Sequence, residues 1–203
     1  MVAVRFVVVW LVLASVVVAS VVAAAMSPQL EWRDPVYIVA GFAGITALCL
    51  LLFQPLLAAG LLPGIPAARA RRVHRWVGSC LTLSVVLHVG CLWLTSPPDV
   101  LDALLLRSPT PFSIWGVIAM WSVLGAACLV LFRKRVGLRP ATWRIIHKGL
   151  AVFTIMGSVV HALKIEGTMG AESKILLCAL VVLVGVWVVF GLNRLAIKNN
   201  LLR

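Results

Sequence analysis

The chain has 203 residues, 63% of them hydrophobic and only 12% charged. Soluble domains carry roughly a quarter charged residues, and a chain this small has too much surface to hide so many apolar side chains from water. A soluble globular fold is therefore excluded, and the formal net charge of +12, which would suggest nucleic acid in a soluble protein, calls for no such partner because the basic residues fall in particular loops between apolar runs.

Six apolar runs are long enough to cross a hydrocarbon core as helix, near 6–25, 35–62, 74–95, 112–132, 143–163 and 175–195. None alternates apolar with polar residues, so strands of a closed barrel are excluded. The expected fold is an all-α membrane protein, a six-transmembrane-helix bundle forming a single domain over 1–203, with no internal repeat of whole units. The first run follows Arg5 and ends in Ala23, Ala24 and Ala25, which resembles a signal peptide. Its apolar stretch exceeds the 7–15 residues typical of a signal h-region, so it is expected to be retained as a helix.

The connecting segments alternate in charge. Arg69, Arg71, Arg72 and Arg75 lie between the second and third runs, Arg133, Lys134, Arg135, Arg139 and Arg144 between the fourth and fifth, and Arg194, Lys198 and Arg203 in the C-terminal tail. The other three loops mix charges: Glu31, Arg33 and Asp34; Asp99, Asp102 and Arg107; Lys164, Glu166, Glu172 and Lys174. Because positive segments stay inside, both termini are expected to be cytoplasmic. Trp32, Trp76, Trp93, Trp115 and Trp143 stand near run ends, as interfacial belts require. Cys49, Cys80, Cys91, Cys128 and Cys178 show no C-x-x-C spacing and read as small helix-packing residues.

The chemistry is carried by the histidines, of which there are four. His74 and His88 stand 14 apart on the third span, and His147 and His161 stand 14 apart on the fifth. Fourteen residues at about 100° each make just under four turns, so each pair shares one face and is displaced by about 21 Å along the axis. Both spans start in the cytoplasm and run parallel, which sets His74 level with His147 and His88 level with His161. Two imidazoles facing each other at one level offer the two axial nitrogens that haem iron accepts across its macrocycle. Four ligands imply two haems b, stacked along the membrane normal between the third and fifth spans. Small residues on the same face, Gly78 after His74 and Ala151, Thr154, Gly157 and Ser158 after His147, leave room for a porphyrin, although they also suit close helix packing. Arg71, Arg72, Arg75, Arg144 and Lys148 on the inner side, and Lys164 and Arg107 on the outer side, are candidate contacts for anionic propionates.

The segments Arg72-Val73-His74-Arg75-Trp76-Val77-Gly78 leading to His88, and Trp143-Arg144-Ile145-Ile146-His147-Lys148 leading to His161-Ala162-Leu163, resemble the ferric reductase-like transmembrane domain superfamily. Its members include the membrane parts of NADPH oxidases and ferric reductases, and bacterial haem-binding subunits. The resemblance implies a six-helix domain that passes electrons through two haems b from a cytoplasmic or quinol donor to an outer-side acceptor: ferric iron, oxygen or a periplasmic reductase. No strand-linked G-x-G-x-x-G is present, so the donor is expected to be a separate flavoprotein, ferredoxin or membrane quinol. A flavin at the cytoplasmic arginines is compatible with the sequence but not required by it. The branch that feeds a periplasmic methionine sulfoxide reductase is similar in size but lacks the first histidine of its third helix, whereas this chain has His74.

A histidine-lined proton or ion pathway is the main competing reading. It would call for acidic partners within the spans, whereas all six Asp and Glu fall in loops. A transporter would favour inverted halves or broken helices at mid-membrane, and no such pair is evident. The outer loop from Thr95 to Phe112 is expected to lie over the outer site and shape access to it. The expected location is a bacterial inner membrane, with the lipid bilayer as surrounding partner.

Overall fold

The computed structural model describes residues 2–191. The chain folds as helices, with no strand among the described residues: α1 (Val2–Ala25), a short 3-10 turn (Pro28–Leu30), α2 (Pro35–Ala59), α3 (Ala67–Thr95), α4 (Pro97–Leu104), α5 (Ser113–Leu131), α6 (Arg133–Val136), α7 (Pro140–Lys164) and α8 (Ala171–Val186), which runs on into a π turn (Trp187–Gly191). Six of these helices are long and apolar enough to cross a membrane: α1, α2, α3, α5, α7 and α8 with its extension. The last expected span continued to Leu195, and its final residues, like Arg194, Lys198 and Arg203, lie outside the described residues.

Helix ends follow local chemistry. Asp34 caps α2 by accepting from the backbone N–H of Val36 at 2.7 Å, with Pro35 preset for the first turn. At the other end Gly60 takes φ 65°, and Gly60 and Leu61 donate back to the carbonyls of Leu57 and Leu56, the paired bonds of a glycine-closed terminus. Gly137 at φ 62° ends α6, and Pro140 opens α7.

Several expected boundaries are corrected. The third span was placed from His74, but α3 starts at Ala67, so Arg69, Arg71 and Arg72 are helical rather than loop residues. Alanine and arginine are strong helix formers, and the helix continues into the polar zone after hydropathy has faded. Arg144 is likewise inside α7, which opens at Pro140. The acidic residues are not all in loops: Asp99 and Asp102 ride on α4 and Glu172 lies in the first turn of α8. All three stay outside the spans' apolar centres.

α2 packs along α3, and α5 packs along α7; α8 bridges α2 and α7, while α1 lies against α2 and α8. The core gathers around α2, where Leu48, Leu52 and Leu57 meet Leu177, Cys178 and Val181 of α8. Leu83, Trp121, Ile145, Phe153 and Leu183 face outward, as lipid-exposed positions do. Of the cysteines, Cys49, Cys91 and Cys178 are buried as packing residues, but Cys80 and Cys128 are exposed on the bundle surface. The two hairpins, α2–α3 and α5–α7, leave α3 and α7 facing one another across the bundle.

Candidate redox site

The bundle has a basic end, formed by the α2–α3 and α5–α7 connections, and a far end. At the basic end the rings of His74 and His147 lie with centroids 6.3 Å apart and planes at 78°. At the far end His88 and His161 repeat this, at 6.3 Å and 81°. All four are half-buried. The matched separation and the crossed planes occur at two levels that lie about 21 Å apart along parallel helices.

Backbone carbonyls orient three of the rings. His88 Nδ1 lies 2.7 Å from the Ala40 oxygen, His161 Nδ1 3.0 Å from the Phe112 oxygen, and His74 Nδ1 3.2 Å from the Gln54 oxygen. A carbonyl only accepts, so each Nδ1 carries the proton and each Nε2 keeps its lone pair. Gln54 also donates its side-chain amide to the His74 carbonyl at 3.3 Å, which ties α2 to α3 from both sides.

Two glycines make these approaches feasible. Gly44 lies one turn after Ala40, and a Cβ there would sit 3.1 Å from His88 Nδ1. Gly116 lies one turn after Phe112, and a Cβ there would sit 2.8 Å from His161 Nδ1. The two hairpins thus repeat one device: a carbonyl, a glycine one turn later, and an imidazole seated between them. The Phe112 ring adds an edge contact to His161 at 5.8 Å.

His147 is held differently. Its Nδ1 is buried and has no hydrogen-bond partner among the described residues. The ring lies flat on Trp143, with centroids 5.0 Å apart and planes 8° apart. Trp143 Nε1 reaches the Leu129 carbonyl at 3.4 Å, and the Arg133 guanidinium lies 4.7 Å over the same indole. Trp143 was expected to be only a belt residue; its spacing four before His147 on one helix face was the signal available for this contact.

The remaining residues separate. Gly157 does not open the space between histidines: a Cβ there would meet the Trp115 oxygen at 2.8 Å and the Ala119 nitrogen at 3.0 Å, so it serves the α5–α7 contact. Gly78 lies against the Gln54 amide. Arg71, Arg72, Arg75, Arg144, Lys148, Lys164 and Arg107 are all exposed, and Arg72 and Arg75 border a shallow recess with Trp76 and Ser79. The far-end segment after α3 is not an open loop; α4 borders an open apolar recess of ≈ 340 Å³ bounded by Val89, Trp93, Val100, Leu104, Met120 and Leu124. Hydroxyls of Ser108, Thr110 and Ser113 bond to one another beside Phe112. Thr168 and Met169, in the α7–α8 connection, are buried, with Thr168 against Gly41.

These features define an integral, multi-pass helical membrane protein with paired histidines at two levels of its bundle. The family model of the ferric reductase like transmembrane component matches residues 40–158. The chain belongs to that family, whose domain supports transmembrane electron transfer and is generally haem-binding. The matched stretch begins at Ala40, whose carbonyl accepts the His88 hydrogen bond, and ends three residues before His161. Comparison with curated proteins and with solved structures found no match.

Proposed function

We propose that the chain carries electrons across a bilayer through two haems b, one held by His74 and His147 at the basic end and one by His88 and His161 at the far end. The carrying observation is the pair of 6.3 Å ring separations. A metal atom held between two facing ring nitrogens at coordination distances of about 2 Å would need ring centres about that far apart. The donor set supports the same reading. Two imidazoles per level are too few for a protein-only zinc site, which takes three or four ligands, and no cage of three or more ligating residues occurs among the described residues. An iron already held by a macrocycle would need only the two imidazoles that each level offers.

The protein's part is to position. The carbonyls of Ala40, Phe112 and Gln54 hold the tautomer that presents Nε2 and raise its basicity. Gly44 and Gly116 let the far-end rings sit close to the neighbouring helices. The bound groups would supply one-electron chemistry at two levels. With the basic end in the cytoplasm, electrons would enter there from a flavoprotein, ferredoxin or quinol. They would leave at the outer side toward ferric iron, oxygen or a periplasmic reductase, in a bacterial inner membrane. Arg71, Arg72, Arg75, Arg144 and Lys148 would meet propionates at the basic end, and Lys164 and Arg107 at the far end.

The test is a pyridine haemochrome assay and a reduced-minus-oxidised spectrum on protein purified in mild detergent. About two b-type haems per chain are expected, falling toward one in His88→Ala or His161→Ala. A chain that takes up no haem when haem is abundant overturns the proposal.

A further inference from the structure

The four imidazoles are all half-buried and differ in what their Nδ1 meets. At the far end both rings donate to carbonyls, at 2.7 Å and 3.0 Å. At the basic end His74 makes a longer bond of 3.2 Å, and His147 makes none among the described residues. A hydrogen bond from Nδ1 pushes electron density toward Nε2 and favours the oxidised metal. Without one, the ligand donates less and the reduced metal is favoured.

We infer that the basic-end site has the higher reduction potential, and that Trp143 and Arg133 are the positioning residues that keep it so. The inference rests on the haem-ligand reading above. Trp143 takes the place of an acceptor: it fixes the His147 ring by its face, which cannot accept the in-plane Nδ1–H. Arg133 sets a positive charge across that indole. The cationic side chains Arg72, Arg75, Arg144 and Lys148 at the same end add to it in sign, with solvent screening reducing each contribution. Lys164 and Arg107 at the far end oppose this but are fewer, so the charge balance and the hydrogen bonding act in one direction. With both groups bound, an electron shared between the levels would at equilibrium leave the far-end iron ferric and the basic-end iron ferrous, with no proton or third reagent involved. The far-end transfer is then the uphill step for outward flow, so an acceptor that removes the electron sets the pace.

The experiment is a mediated optical redox titration of the full chain in lipid nanodiscs. His88→Ala leaves the basic-end pair and His74→Ala leaves the far-end pair. The first is expected to reduce with an equilibrium constant at least tenfold more favourable, which is about 59 mV for one electron. In the otherwise intact chain, Arg133→Gln and Trp143→Leu are expected to lower the upper wave and leave the lower one in place, whereas Trp143→Phe, which keeps an aromatic face, retains most of the shift. Equal or reversed potentials overturn the inference, as does an upper wave that ignores both Arg133→Gln and Trp143→Leu. If a single-level variant loses all its haem, those two substitutions decide alone. A wild-type chain with no haem overturns the haem reading itself, while two haems of equal potential overturn only this inference.

Discussion

His88 donates its Nδ1–H to the carbonyl of Ala40 at 2.7 Å, and this bond fixes the tautomer of a ring deep in the bundle. A helix carbonyl already serves the N–H four residues on, so the imidazole shares an acceptor rather than finding an orphan one. That sharing requires close approach, and it is the residue four positions on, Gly44, that allows it. His161, Phe112 and Gly116 repeat the arrangement on the other hairpin.

Replacing these glycines with alanine therefore acts on the far-end histidines. At Gly116 the added carbon would meet His161 Nδ1 at 2.8 Å and Cε1 at 3.0 Å, whereas at Gly44 the nearest approach is 3.1 Å. Overpacking of this kind costs about 1–3 kcal/mol. Gly116→Ala is expected to reduce far-end haem content more than Gly44→Ala, measured as haem per protein after purification. An unchanged content in Gly116→Ala would count against the packing argument.

Gln54→Leu removes the side-chain donor to the His74 carbonyl and leaves the Gln54 backbone oxygen that faces His74 Nδ1. Loss of one such bond costs about 1 kcal/mol. The expected result is a modest fall in unfolding midpoint with haem retained at both levels, read by thermal unfolding alongside the haem spectrum.

The crossed ring planes, 78° and 81°, carry a spectroscopic expectation. Perpendicular axial imidazoles leave the two iron dπ orbitals nearly equal in energy. Low-temperature electron paramagnetic resonance of the oxidised protein is expected to show strongly anisotropic low-spin signals at both levels. A spectrum of the type given by parallel imidazole planes would contradict the ring geometry.

Gly157→Leu is expected to separate α5 from α7, because even a Cβ would meet the Trp115 carbonyl at 2.8 Å. Small residues are what let spanning helices approach this closely. The variant is expected to lose yield and thermal stability, and with them the haem content proposed for both levels, since α7 carries His147 and His161.

Cysteine labelling checks the packing independently of any cofactor. Cys80 and Cys128 are exposed on the bundle surface, while Cys49, Cys91 and Cys178 are buried. A membrane-permeant maleimide is expected to modify the first two in folded protein and the other three only after denaturation, as counted by mass spectrometry.

The sequence by itself determined the class of the molecule, because hydropathy is an additive property: a chain 63% hydrophobic with apolar runs of spanning length has one compatible solvent. It also carried the alignment of the histidines, since helical periodicity and alternating loop charge are enough to set His74 opposite His147 and His88 opposite His161. The true start of α3 at Ala67 was less legible, because hydropathy fades at the lipid surface where helix propensity does not. Only the tertiary structure decided what holds each ring. The acceptors at Ala40, Gln54 and Phe112 are backbone atoms, which every residue possesses, so side-chain identity carries no mark of them. Gly44 and Gly116 have meaning only when a neighbouring helix brings an imidazole against them. Trp143 could have been any interfacial indole until folding laid it flat on His147 and brought Arg133 over its ring.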